Sequence, residues 1–125
     1  MAKCRKFESK DLSIINCWYR ERGSAQLTED AIPSLGFIVD DIGAGFIYQT
    51  DSCLCFIEGY VANPATSKED RKEAFDIITA NLIMAAKEAG YTKILAFTEH
   101  PEIKKRCLRY DFKHKGVYDL YVREV

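Results

Sequence analysis

Glu58 is the residue in this chain best placed by its surroundings to move a proton. It lies in the run CLCFIEGYVA (residues 53–62), and strand alternation puts it on one face with Leu54, Phe56 and Tyr60. A carboxylate among apolar side chains is harder to ionise, so its pKa rises toward that of a working general base. A strand that splayed here and let Glu58 reach solvent would make it an ordinary edge carboxylate instead. His100 follows a second apolar run, residues 94–97, at the end where open α/β sheets bind ligands. Its imidazole can accept a proton near neutral pH. Glu99-His100-Pro101 reads equally well as a helix entry capped by Glu99 or His100. Between these runs a long helix begins at Ser67. The free N–H groups and dipole of such a start attract anions, which makes Ser67 and Lys68 candidate phosphate contacts. The junction lacks the glycine that usually lets a phosphate lie against bare backbone. Lys104, Lys105, Arg106, Arg109, Lys113 and Lys115 lie within twelve residues in which Asp111 is the only acid. They read as a solvated helix face or as a docking surface for an acidic partner.

The elements that must position these groups follow from periodicity. Residues 3–7 suit a short strand. Ser9 offers an N-cap, and Leu12, Ile15, Trp18 and Tyr19 continue at helical spacing until Gly23. Residues 24–35 are mixed, with one helical turn at Glu29–Ala31 stopped by Pro33. Three strands at residues 36–41, 44–50 and 53–62 are joined by tight turns and so form an antiparallel meander. The helix from Ser67 carries an apolar stripe of Phe75, Ile78, Leu82, Ala85 and Ala89, broadened by Ala74, Ile77 and Ala86, and ends at Gly90. Residues 94–97 (ILAF) are a continuous apolar run, as expected of a strand parallel to its βαβ partner. Pro101 opens a last helix, and VYDLYVR (residues 117–123) alternates as a closing strand. The expected architecture is one α/β domain over residues 1–125. Its order is β-α-β-β-β-α-β-α-β, with a mixed, largely antiparallel sheet and helices on both faces.

Composition narrows the function. A net charge of −1 gives no electrostatic footprint for nucleic acid or an anionic membrane. MAKCRKFESKD lacks the apolar core of a signal peptide, and no run approaches the ~20 apolar residues of a membrane span, so a cytoplasmic protein is expected. Five cysteines, an odd number in a chain of this size, read as reduced thiols. Cys53 and Cys55 share a strand face, but His100 and His114 do not complete a zinc pattern, so no metal is expected.

The order of elements, with these residues at the joints, resembles the GNAT acetyltransferase superfamily. KFESKDLSIINCWYRERG is similar to its opening strand and helix, and EGYVANP to the end of its fourth strand. KILAFTEHPEIKKRCLRYDFKHKGVYDLYV is similar to its fifth strand, following helix and final hairpin. The arrangement resembles most the short members encoded by bacteriophages. The resemblance implies acetyl-CoA as co-substrate, with backbone of Tyr60, Val61, Ala62 and Asn63 pairing with the pantetheine. The phosphates would lie over Ser67, Lys68, Arg71, Lys72 and Ala74. The family's Gln/Arg-x-x-Gly-x-Gly/Ala loop aligns with Arg71-Lys72-Glu73-Ala74-Phe75-Asp76, where Ala74 adds a methyl group and Asp76 a carboxylate. The resemblance also implies Glu58 as the base for an attacking amine. A tyrosine that protonates the departing thiolate falls at Cys107; Tyr110 is the substitute, and His100 an alternative base. Asp111 stands where the family has glycine before Phe112. The basic helix would border the coenzyme and its 3′-phosphate. The acceptor would be a small-molecule or protein amine, and the final hairpin offers a homodimer edge. The departures also fit a second class: a GNAT-fold protein that has lost the reaction and binds a host or viral protein.

Overall fold

The computed structural model describes residues 3–125. Strands β1 (Cys4–Lys6), β2 (Leu35–Val39), β3 (Gly43–Tyr48), β4 (Leu54–Ala62) and β5 (Lys93–Leu95) form one sheet in that spatial order. The first four pair antiparallel, as their short turns require, and β4 pairs parallel with β5 across the long helical crossover. Helices α1 (Leu12–Glu21), α2 (Lys68–Glu88) and α3 (Pro101–Arg109) complete the domain. The expected mixed sheet with helices on both faces is present.

Strand alternation divides the core in two. On one face α1 places Ile15, Trp18 and Tyr19 against Ile38, Ala44, Phe46 and Val61. On the other, α2 places Ala74, Ile78, Leu82 and Ala86 against Val39, Ile47, Cys55 and Ile57. Removing a fully buried Leu or Ile from water contributes about 1.5–3 kcal/mol, so these two layers supply most of what offsets chain entropy. The α2 stripe centres on an i+4 row, and Ala89, assigned to it from spacing, is exposed.

Helix ends follow local chemistry. The Ser67 hydroxyl accepts from the Asp70 N–H at 3.1 Å, while Glu69 and Asp70 sit at the positive end of the α2 dipole. Gly90 leaves the helix at φ 94°, and Pro101 opens α3. The N-cap expected at Ser9 falls instead on Glu8. Glu8 and Asp11 form a capping box around a 3₁₀ turn over Ser9–Asp11, which then feeds α1. Asp11 is buried and held by both Arg5 guanidinium nitrogens, at 2.9 and 2.7 Å.

Two further expectations are corrected. The closing strand at residues 117–123 does not form: from Phe112 onward the chain has no ladder pairing, and Val117, Leu120 and Tyr121 are 87–89% exposed. β5, the edge strand next to it in chain order, pairs over just three residues, so it offers little edge to dock on. Second, Tyr60 does not share a face with Glu58. Phe46 pairs with Glu58 but Ala44 with Val61, so β4 carries an extra residue there. This bulge centres on Gly59 (φ 77°) and turns Tyr60 to the α2 face.

Candidate active site

β4 and β5 pair only from Leu54–Lys93 to Phe56–Leu95, after which β4 continues to Ala62 with no partner on that side. The bulge strengthens the local twist and carries β4 away from the β5 end. The resulting notch is a cavity of about 280 Å³ that passes through the sheet. Tyr19 and Glu58 line it on the α1 face. Tyr60, Thr79, Arg106, Cys107 and Phe112 line it on the α2 face, and Phe97 and Thr98 close its β5 side.

Each wall has a local cause. Gly59 adopts a left-handed conformation, and its carbonyl accepts from the Tyr19 hydroxyl at 2.6 Å, which ties the bulge to α1. Gly45 allows the Tyr60 ring to lie flat on the sheet, since a Cβ there would sit 2.7 Å from that ring. The Tyr60 hydroxyl shares a 2.6 Å hydrogen bond with Thr79, which donates to the Phe75 carbonyl at 2.7 Å. Burial pushes the Tyr60 phenol up to about 12, so it stays protonated at neutral pH. Desolvation by the cavity walls raises Glu58 above the usual carboxylate range even though its side chain opens to solvent at the mouth. Its charge adds to the burial that raises the Tyr19 and Tyr48 phenols. Burial also raises the Cys107 thiol, against the opposing pull of Arg106, and keeps it protonated.

The structure brings Glu58, Tyr60 and Cys107 to one cavity and leaves His100 and Tyr110 outside its lining. His100 caps α3, its Nδ1 accepting from the Glu102 N–H at 3.2 Å. The Tyr110 hydroxyl donates to the Asp76 carbonyl at 2.9 Å. Val61 and Ala62 are buried, and the Ala62 carbonyl accepts from Arg22 Nε at 2.9 Å. Asn63 organises the turn before α2: its N–H donates to the Ile42 carbonyl at 2.8 Å and its Oδ1 accepts from Ala65 at 3.0 Å. Arg71 folds back onto the Thr66 carbonyl, Lys68 and Lys72 are exposed, and Ala74 faces the core at 0% exposure. The start of α2 is thus capped by its own side chains.

The carboxylate of Asp76 is matched by two guanidinium groups. Arg109 donates to Asp76 Oδ1 at 2.8 Å and Arg106 at 3.3 Å, with Arg106 also lying 5.2 Å over the Phe75 ring. A second hollow of about 140 Å³ opens beside this cluster, lined by Lys72, Glu102, Lys105, Arg106 and Arg109. Arg106 is common to both cavities. Spacing along the chain gave no signal for this pairing across α2 and α3. Asp111 takes φ 63° at the end of α3, which explains why a glycine suits that position; its neighbour Phe112 closes the turn by donating to the Cys107 carbonyl at 2.8 Å. No group of His, Cys, Asp and Glu among the described residues could hold a metal, and no described helix is long and apolar enough to cross a membrane.

No family model matches the chain, and no curated relative does either. Solved structures do match over nearly its whole length. A protein from Agrobacterium tumefaciens str. C58, classed as an acetyltransferase, aligns with a TM-score of 0.71 at 16% identity over 98% of this chain and 99% of its own. The aminoglycoside N-acetyltransferase AAC(6')-Iy, in complex with a bisubstrate analogue of coenzyme A, aligns at 0.68 and 14% identity over 100% and 99%. Rv2747 from Mycobacterium tuberculosis, in complex with CoA and NLQ, aligns at 0.68 and 14% over 83% and 69%. At these identities the likeness is one of fold: the chain shares the mixed α/β fold of these proteins, the fold class expected from its sequence.

Proposed function

We propose that the protein transfers an acetyl group from acetyl-CoA to an amine. The observation that carries this reading is the cavity through the sheet, which exposes a desolvated carboxylate on one face and a protonated thiol beside a buried guanidinium on the other. A thioester entering from the α2 side would run along the unpaired edge of β4 and present its carbonyl carbon near Glu58. The amine approaches from the α1 side. Glu58 takes the ammonium proton, directly or through water, the free amine attacks the carbonyl carbon, and the nitrogen then loses its second proton to water. As the tetrahedral intermediate collapses, the C–S bond breaks and the electron pair leaves on sulfur. Cys107 is positioned to return a proton to that thiolate and to be reprotonated by solvent, while Arg106 offsets the transient charge. Holding both reactants in one notch supplies much of the acceleration.

The nucleotide phosphates fit the hollow at Lys72, Lys105 and Arg109, where four cations face the single carboxylate of Glu102, better than the self-capped start of α2, where Glu69 and Asp70 oppose an anion. With both Asp76 contacts made by arginines, that carboxylate no longer repels a phosphate. The five unpaired cysteines suit a reducing cytoplasmic setting. Acetyl-CoA at ~100 times its dissociation constant is expected to stabilise the fold by about 2.7 kcal/mol, read as a thermal shift. Lys105→Glu is expected to weaken binding about tenfold without lowering the unliganded melting temperature, because the residue is exposed. An unchanged melting temperature at millimolar acetyl-CoA would sink the enzyme reading and leave the binding-protein alternative.

A further inference from the structure

The α1-side mouth of the cavity has an aromatic floor. Phe56 stacks on Phe97 with centroids 5.9 Å apart and planes at 23°, and Tyr118 meets Phe97 edge-on at 6.3 Å. Phe97 and Tyr118 are 52% and 71% exposed, so among the described residues much of this shelf is open to solvent. Phe56 lies two residues before Glu58 on the same strand face, ahead of the bulge, which puts the shelf in line with the carboxylate. Among the described residues Glu58 is the one carboxylate lining the cavity.

We propose that this mouth binds a primary ammonium carried on a single flat apolar body, an arylalkylamine, with the cation at Glu58 and the ring over Phe97 and Tyr118. One carboxylate balances one ammonium. A polyamine or a lysine-rich peptide would bring several cations to a surface with a single counter-charge, and its remaining charges would be desolvated by aromatic rings without partners. A monocation with an apolar body instead places its charge against Glu58 and against ring faces that attract cations, and covers exposed apolar surface at the same time. The inference rests on the transferase reading for what becomes of the amine, but its binding does not.

The test titrates the full chain, without nucleotide at neutral pH, with 2-phenylethylamine, spermidine and tri-lysine in parallel, followed by calorimetry and amide NMR shifts. Phenylethylamine is expected to bind at least about tenfold tighter than either polycation and to shift the amides of Phe56, Glu58 and Phe97. Glu58→Gln should weaken it about tenfold or more, and Tyr118→Ala several-fold, with the melting temperature of Tyr118→Ala unchanged because that ring is largely exposed. Equal or tighter binding of spermidine or tri-lysine, no binding of phenylethylamine at ~10 mM, or indifference to Glu58→Gln would overturn the inference. If phenylethylamine binds as described but no acetylated product forms with acetyl-CoA, the transferase reading fails and the amine site stands.

Discussion

Replacing Gly59 by alanine tests how the notch is held open. Gly59 sits at φ 77° in the bulge, and an added Cβ would lie 3.1 Å from Phe46 Cδ2 and 3.5 Å from the Tyr19 hydroxyl. The left-handed conformation costs a residue with a Cβ about 1–2 kcal/mol. Phe46 is 0% exposed and cannot swing into solvent, so overpacking there adds about 1–2 kcal/mol. The expected loss is therefore about 2–4 kcal/mol, or roughly 8–15 °C in melting temperature for a domain of this size. Gly90→Ala is the control. Gly90 has φ 94° but nothing within 4 Å of an added Cβ, so it should show only the backbone cost of about 1–2 kcal/mol. Urea titrations of the two variants, fitted with a common slope, read the difference directly. If Gly59→Ala is no less stable than Gly90→Ala, the contact with Phe46 contributes nothing and the bulge is not pinned as described. Should the variant instead straighten β4, Tyr60 would lose Thr79 and its fluorescence and titration would change.

Two further outcomes follow from the charges. Glu58 has a folded pKa raised by desolvation, so between its unfolded and folded values the folded state binds the extra proton and stability falls as pH rises through that window. Acetyl transfer should have its acidic limb displaced above the usual glutamate range, and Glu58→Gln should abolish turnover while leaving neutral-pH stability equal or higher; a limb at the ordinary glutamate position would refute the desolvation. Asp11 behaves oppositely: its hydrogen bonds from Arg5 hold it below the usual carboxylate range, so its stabilisation is present above the unfolded pKa and is lost as pH falls through the lower folded value. Asp11→Ala removes the cap and the Arg5 contacts and is expected to cost about 2–3 kcal/mol at neutral pH in chemical denaturation, with a smaller difference from the parent in strong acid.

The segments that were legible from the chain are those whose cause is local. Ser67 with Asp70, Gly90 after the last apolar turn and Pro101 before α3 act within a few residues, so their helix boundaries could be read directly. The 53–62 strand and its parallel crossover partner were equally clear, but the partner is shorter than its apolar run: β5 ends at Leu95, and Phe97, expected to be covered, is 52% exposed because no further strand of the described residues packs on that edge. Glu58 was legible in part: Leu54 and Phe56 precede the bulge and keep its face apolar, yet β4 has left β5 there and the side chain reaches solvent, as the splayed alternative expected.

By itself, then, the sequence determined the order of elements, the helix ends and the pairing of the central strands, since hydrophobic period and capping chemistry act over one or two turns. Tertiary structure decided the rest. Whether β4 keeps its register past Glu58 depends on Phe46 and Tyr19, contributed by β3 and α1, and the bulge they hold turns Tyr60 away from the face that alternation assigns it. Whether Asp76 repels an anion depends on Arg106 and Arg109, which lie 30 and 33 residues along the chain. Whether VYDLYVR becomes a strand depends on the length of the edge β5 offers, and that edge ends at Leu95. In each case the deciding group arrives from another element, and nothing in the local pattern carries its position.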